Sequence, residues 1–258
     1  MLRTPNTLPA GQAGERRTVS IEDSERRTPN AERSAIFPLD EALAEAQSSP
    51  LKKILFEGEK VNEIASYVAG WMAAQGIEII VLDGANRFDP YTVSFFARRI
   101  WISPETLLKK IRIARAFTCY QMSALMGEKL TAFLKGGAIR QGLKPKVILL
   151  GPLTTFLDED VSEREVSPLL ERSLKKVDAL VAEGVSFFLF QSLVPLRSKR
   201  TYLMKKLLQF SHLAWKISLD DEGPKVTMEK GPELKIIENC KMQNGKWKFP
   251  EKILPLQQ

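Results

Sequence analysis

Residues 52–65 read Lys52-Lys53-Ile54-Leu55-Phe56-Glu57-Gly58-Glu59-Lys60-Val61-Asn62-Glu63-Ile64-Ala65. A short apolar strand runs into a glycine, a four-residue spacer and the start of a helix. That is the frame of the phosphate-binding loop G-x-x-x-x-G-K-[ST], in which backbone N–H groups, a lysine and a helix N-terminus converge on phosphate oxygens. Gly58 fills the first position. Glu63 stands where the second glycine belongs, Ile64 where the lysine belongs and Ala65 where the hydroxyl belongs. The expectation is a loop frame without its chemistry. Gly58, Glu63, Ile64 and Ala65 would bind no cofactor, because a carboxylate and an aliphatic side chain face the place a phosphate would take.

Outward from this stretch, strand and helix signals alternate. A strand over 54–56 is followed by a helix over 62–75 that ends before Gly76. Residues 77–83 (IEIIVLD) form a near-continuous apolar run, as buried parallel strands do. Helix 91–100 follows, and Ser103-Pro104-Glu105 opens another with a cap, a first-turn proline and an early acid. Residues 111–117 (IRIARAF) read as a strand, 121–134 as a helix closed by Gly136-Gly137, 147–150 as a strand, 166–182 as a long helix and 185–190 (VSFFLF in its full run) as a buried strand. After a basic segment come hairpin strands at 213–219, 225–229, 233–238 and 246–249, with Asp221-Glu222-Gly223 and Gln243-Asn244-Gly245 as turns. This order predicts an α/β fold: a mostly parallel central sheet with helices on both faces and a C-terminal antiparallel β-hairpin extension.

The chain has 258 residues, of which 44% are hydrophobic, enough for one large α/β domain plus extensions. Residues 1–34 are polar, without aromatics, and carry six arginines and five acids. Such a segment cannot bury enough apolar surface to offset its ordering entropy. Residues 1–50 are therefore expected to be a disordered tail and linker, with a short amphipathic piece over 37–46, and 51–258 to be the core. No apolar run approaches the roughly 20 residues of a spanning helix, and the N-terminus has no continuous apolar region of a secretory signal. Cys119 and Cys240 are too few for a disulfide framework and lack metal spacing, and His212 is the single histidine. The expectation is a cytoplasmic protein with no metal and no membrane contact. The formal net charge of +7 is concentrated at the C-terminal end: residues 193–258 carry 13 basic and 7 acidic groups, against 19 of each in 35–192. A basic face of this kind suits a polyanion, and a solvated Lys-rich surface accounts for it equally.

Four segments, in order, resemble the ATPase core of the RecA/RadA recombinase family over roughly residues 51–235. The first is the altered loop above. The second is Asp83-Gly84-Ala85-Asn86-Arg87-Phe88-Asp89-Pro90, similar to the family's D-T-E-G-T-F-R-P with Asp83, Phe88 and Pro90 in register. The third is Ile111-Arg112-Ile113-Ala114-Arg115-Ala116-Phe117 with Gln121-Met122, similar to the family's A-R-A-F and H-Q-M, with Tyr120 in place of the histidine. The fourth is Val147-Ile148-Leu149-Leu150-Gly151-Pro152-Leu153-Thr154, resembling the strand that ends V-D-S-L-T. The resemblance implies a RecA-like P-loop NTPase fold. It also implies four lost roles: the phosphate lysine is Ile64, the Mg²⁺ hydroxyl Ala65, the Mg²⁺ carboxylate Gly151 and the catalytic base Ala85. Phosphoryl transfer is mostly positioning and charge stabilisation, so losing all four leaves little mechanism.

The family binds DNA through loops after its fourth and fifth strands. The first matches residues 156–165 here, which are strongly acidic and would repel phosphates; a solvated helix start explains them better. The second matches 191–206. It carries Arg197, Lys199, Arg200, Tyr202, Lys205 and Lys206, a basic set with an aromatic that suits backbone contact and stacking of single-stranded DNA, or equally a surface helix with snorkelling lysines. Gln191 matches the family's γ-phosphate sensor, which would have nothing to report. Cys119 reads as a buried small hydrophobe and His212 as a structural imidazole. The four tryptophans are spread over separate elements and read as packing or interface residues. The family's self-assembly element F-x-x-A is represented by Phe37-Pro38-Leu39-Asp40, with an acid in the alanine position. The sequence reading is a non-catalytic RecA/RadA-like accessory or regulatory factor in DNA recombination or repair. It would act by binding DNA, a recombinase or a repair protein. The alternatives are an unorthodox ATPase using Lys60 and a protein–protein module with no nucleic acid role. Nothing in the sequence sets the oligomeric state.

Overall fold

The computed structural model describes residues 50–136, 145–195, 197–220, 223–231, 236–237, 242–243 and 246–247, all within the unit Ser34–Gln258. The tail, the Phe37 element, Cys240 and parts of the C-terminal hairpins lie outside these residues.

Ten strands and seven α-helices are formed by the described residues. Strand β1 (Lys53–Gly58) leads to α1 (Val61–Ala74), β2 (Ile79–Asp83), α2 (Pro90–Arg99), α3 (Pro104–Leu108) and β3 (Ile111–Arg115). Then come α4 (Cys119–Ala124), a π-helical turn (Leu125–Lys129), α5 (Leu130–Lys135), β4 (Lys146–Leu150), α6 (Glu163–Ala182), β5 (Ser186–Ser192), α7 (Tyr202–Phe210), β6 (Leu213–Asp220) and β7 (Gly223–Lys230). Short strands β8 (Ile236–Ile237), β9 (Met242–Gln243) and β10 (Lys246–Trp247) follow. The main sheet has the order β3-β2-β4-β5-β1-β6-β7-β8. From β3 to β6 every pairing is parallel; β7 and β8 add antiparallel strands.

The alternation of each strand sorts its side chains onto two cores. Ile54, Phe56, Val81, Ile148, Leu150, Phe188, Phe190, Trp215 and Ile217 face a layer formed by α1, α2 and α3. Leu55, Leu82, Leu149, Phe187, Leu189 and Ala214 face the layer of α4 to α7. Being covered on both faces is what makes the strand runs apolar throughout. Phe56 and Phe190 stack across neighbouring strands at 5.0 Å between centroids. Helix α1 is buried almost all round. Its Gly70 lets the Phe96 ring come close, since a Cβ there would stand 3.3 Å from that ring. Helix α6 buries only Val166, Leu170, Ser173, Leu174, Val177 and Leu180, one stripe at helical spacing.

Within the described residues the expected strands and helices form, with three refinements. The helix expected over 121–134 is interrupted by the π-helical turn. In the basic segment the surface-helix alternative forms over its second half, as α7, because Leu203 and Leu207, four apart, both enter the core. Strand β6 is no separate hairpin arm: it pairs with β1 as well as β7, so the antiparallel extension continues the main sheet.

Candidate functional site

Asp83, Gly151, Gln191 and Gly58 lie at the carboxyl ends of β2, β4, β5 and β1, along one edge of the sheet. Strands β2 and β4 are adjacent, and β5 stands between β4 and β1. The chain leaves β1 and β2 towards the α1–α3 layer and β4 and β5 towards the other. The β2/β4 and β5/β1 junctions are therefore switch points, where open α/β sheets place ligands.

The structure corrects the expected loop at the β1–α1 junction. Only Glu59 and Lys60 separate strand from helix. Lys60 takes a left-handed conformation (φ 53°) at the helix start. Glu63 is exposed, whereas Ile64 is 1% exposed and Ala65 fully buried among the core residues of α1. No spacer loop exists to wrap a phosphate, and Ile64 points inward. The reason is packing: Val61 and Ile64, three apart, both bury only if the helix has already begun at Val61. Gly58 has a different role too. Its φ is +128°, and a Cβ there would lie 1.9 Å from the Ile217 carbonyl oxygen. This glycine allows β1 and β6 to approach, and the next residue's N–H donates to that same carbonyl at 3.1 Å.

At the β2/β4 junction the polar groups are used internally. The fully buried Asp83 accepts hydrogen bonds from the backbone N–H groups of Arg87 (3.2 Å) and Phe88 (3.0 Å) and is paired with Arg115 Nε at 3.6 Å. The N–H groups of Gly84 and Ala85 both donate to the Leu150 carbonyl, at 2.8 and 3.3 Å. Gly151 is left-handed (φ +60°), and a Cβ on it would stand 2.5 Å from the Ala85 Cβ and 2.5 Å from Thr154 Oγ1. Ala85 and Gly151, the positions aligned with the base and the Mg²⁺ carboxylate, thus interlock at van der Waals range. Buried Gln191 fastens the same region: its Oε1 accepts from Leu153 N (2.9 Å) and its Nε2 donates to the Ser192 carbonyl (2.9 Å).

The basic segment divides by environment. Arg197, Lys199 and Lys205 are exposed. Arg200 is 5% exposed, and its guanidinium donates to the carbonyls of Phe156 (2.9 Å), Asp158 and Val161. It therefore ties the acidic loop to the start of α7. Lys206 pairs with Glu171 and donates to Ser167 Oγ at 2.7 Å, while its ammonium lies 5.7 Å from the half-buried Tyr202 ring. Glu163 and Glu165 occupy the first turn of α6, where carboxylates favour the helix dipole.

Other residues singled out in the sequence have local roles. Gln121 helps close the start of α4: its Oε1 accepts from Phe117 N (2.8 Å), and its own N–H donates to the N-cap Thr118 Oγ1 (3.2 Å). Tyr120 donates to Glu165, a bond that raises the phenol pKa. Cys119 is buried, and desolvation pushes its thiol up. His212 Nδ1 accepts from Lys52 N at 3.3 Å, and burial lowers its pKa. Trp71 and Trp215 pack in the core, but Trp101 is 93% exposed. Among the described residues, no group of three or more His, Cys, Asp or Glu could hold a metal ion, and no helix is long and apolar enough to cross a membrane.

One carboxyl stands out electrostatically. Burial and hydrogen bonding to Glu229 raise Glu57 to a pKa of about 7, opposed by the charge of Lys216. A raised carboxyl pKa means the folded state holds its proton longer. The associated stability is present below the unfolded value and is lost as pH rises through about 7. Glu57→Gln should leave the melting temperature nearly unchanged at pH 4.5 and raise it at pH 8. Because water screens this half-buried pair, the gain is about 1 kcal/mol. Thermal melts at both pH values check this; an equal effect at the two would contradict it.

No protein-family model and no curated protein matches the chain.

Proposed function

We propose that the protein is a non-catalytic RecA/RadA-like protein with a RecA-like P-loop NTPase fold. It serves as an accessory or regulatory factor in DNA recombination or repair, binding single-stranded DNA, a recombinase or repair protein, or both. The observation that carries the non-catalytic part is the contact between Ala85 and Gly151, which occupies the junction where the resemblance would put a base and a metal carboxylate. The two-residue β1–α1 turn supports it, since it leaves no loop to cradle a triphosphate. The exposed Arg197, Lys199 and Lys205 support polyanion binding, with Arg200 positioning the segment rather than touching phosphate.

Titration of the purified protein with ATP–Mg²⁺ and with labelled oligo-dT at two salt concentrations tests this. The expected result is no nucleotide turnover and salt-sensitive oligo-dT binding. Changing Arg197, Lys199 and Lys205 together to Glu should weaken that binding and flatten the salt slope by about 0.7 for each phosphate no longer neutralised. Mg²⁺-dependent turnover abolished by Lys60→Ala would establish the ATPase alternative instead.

The protein–protein alternative has an observation of its own. Beside edge strand β3, an apolar hollow of about 200 Å³ is lined by Leu82, Ile113, Ala114, Leu125, Leu130 and Phe133, and Ile113 is exposed. An anchor side chain from a partner would fit it. Failure to bind oligo-dT even in low salt would make this the leading reading.

A further inference from the structure

Helix α2 carries an aromatic and cationic stripe that neither the carboxyl edge nor the basic segment uses. Its inward positions are Val93, Phe96 and Ala97. Tyr91, Phe95 and Arg98 fall diametrically opposite at 100° per residue, and all three are exposed; Tyr91 is 84% and Phe95 56% exposed. Arg99 flanks them, its guanidinium carbon 5.8 Å from the Phe95 ring centroid. Immediately beyond the helix, Trp101 is 93% exposed and held at φ +59°, a backbone region that bulky residues rarely occupy. Three large rings in water, one of them on a constrained backbone, are not explained by packing.

We infer that this stripe is a stacking platform for single-stranded nucleic acid. The inference rests on the DNA half of the proposed function and assigns its base contacts to α2 instead of α7. Charge favours this occupant. Helix α2 contains no acid, and two arginines close its last turn. The neighbouring Asp89 is spent as the helix cap, accepting from the N–H groups of Tyr91 (2.9 Å) and Thr92 (3.2 Å). Aromatic faces supply stacking that tolerates any base, and guanidinium groups supply the phosphate contacts. Tyr91 and Phe95, about one turn apart, are separated by roughly 6 Å along the helix axis.

Anisotropy titrations of labelled oligo-dT against the full chain test the platform. Trp101→Asn is the most informative variant, because asparagine accepts a left-handed backbone and tryptophan does not. Its melting temperature should stay level or rise while its affinity falls about tenfold, and Phe95→Ala should show a similar loss. If a Tyr91→Ala, Phe95→Ala, Trp101→Asn triple variant binds as tightly as the wild type while Arg197, Lys199 and Lys205 changed to Glu do not bind, the platform is overturned and the proposed function stands. If the wild type binds no oligo-dT in low salt, the DNA half of that function fails together with the platform.

Discussion

Writing the phosphate-binding consensus back into the β1–α1 junction, as Glu63→Gly, Ile64→Lys and Ala65→Thr together, is expected to unfold the protein rather than create a nucleotide site. Ile64 is 1% exposed in the core beneath α1. Its replacement by lysine removes a buried aliphatic side chain, about 1.5–3 kcal/mol. It also leaves an ammonium either buried without a partner or dragging the helix out of place, several kcal/mol more. Ala65 is fully buried as well, so a threonine there overpacks the site at roughly 1–3 kcal/mol. Exposed Glu63 contributes least: glycine in its place costs about 1 kcal/mol of helix propensity. Against a domain stability of about 5–15 kcal/mol, the sum is decisive. The three single variants should therefore rank Ile64→Lys, then Ala65→Thr, then Glu63→Gly in loss of melting temperature. The conservative Ile64→Val should lose only about 1 kcal/mol. An Ile64→Lys protein that melts like the wild type would mean the first turn of α1 is not core, and the loop reading would return.

That junction also shows where sequence and structure part. Buried strands such as Ile79–Asp83 and Ser186–Ser192 announce themselves, because a sheet covered on both faces needs unbroken apolar runs. Helix α3 was legible from Ser103-Pro104-Glu105, since a first-turn proline followed by an acid suits the start of a helix. The spacing from Gly58 to Ala65 misled because a motif counts residues along the chain, whereas the helix start is set by which side chains must reach the core. Helix α7 was readable in principle: Leu203 and Leu207 sit four apart amid charges. Of the two readings of that segment, DNA-contacting loop or surface helix, the period favours the helix. Exposed and buried arginines look identical in sequence, so nothing separated Arg200 from Arg197. Likewise nothing in the chain order showed that Gly151 faces Ala85, because that contact arises from the parallel register of β2 with β4.

Arg200→Ala is expected to be the second most damaging substitution, at about 3 kcal/mol, although it lies in a segment that looks like a ligand surface. Its guanidinium satisfies the carbonyls of Phe156, Asp158 and Val161 at once. Alanine leaves these acceptors to whatever water can enter, and each one left buried and unpaired costs about 1–3 kcal/mol. Arg200→Lys should rescue little, because one ammonium on a flexible stem cannot reproduce the planar fork that spans three carbonyls. Exposed Arg197→Ala should change stability by under about 0.5 kcal/mol. Urea denaturation of the three variants ranks them, and amide exchange over 156–161 should quicken in Arg200→Ala before the sheet strands are affected. An Arg200→Ala protein as stable as the wild type would show that the loop is held by other contacts. The consequence for function is direct. A charge reversal that includes Arg200 loosens the acidic loop and the start of α7 together, so weakened DNA binding in such a variant reports folding as much as contact. Reversal at Arg197, Lys199 and Lys205, whose side chains stand in solvent, separates the two.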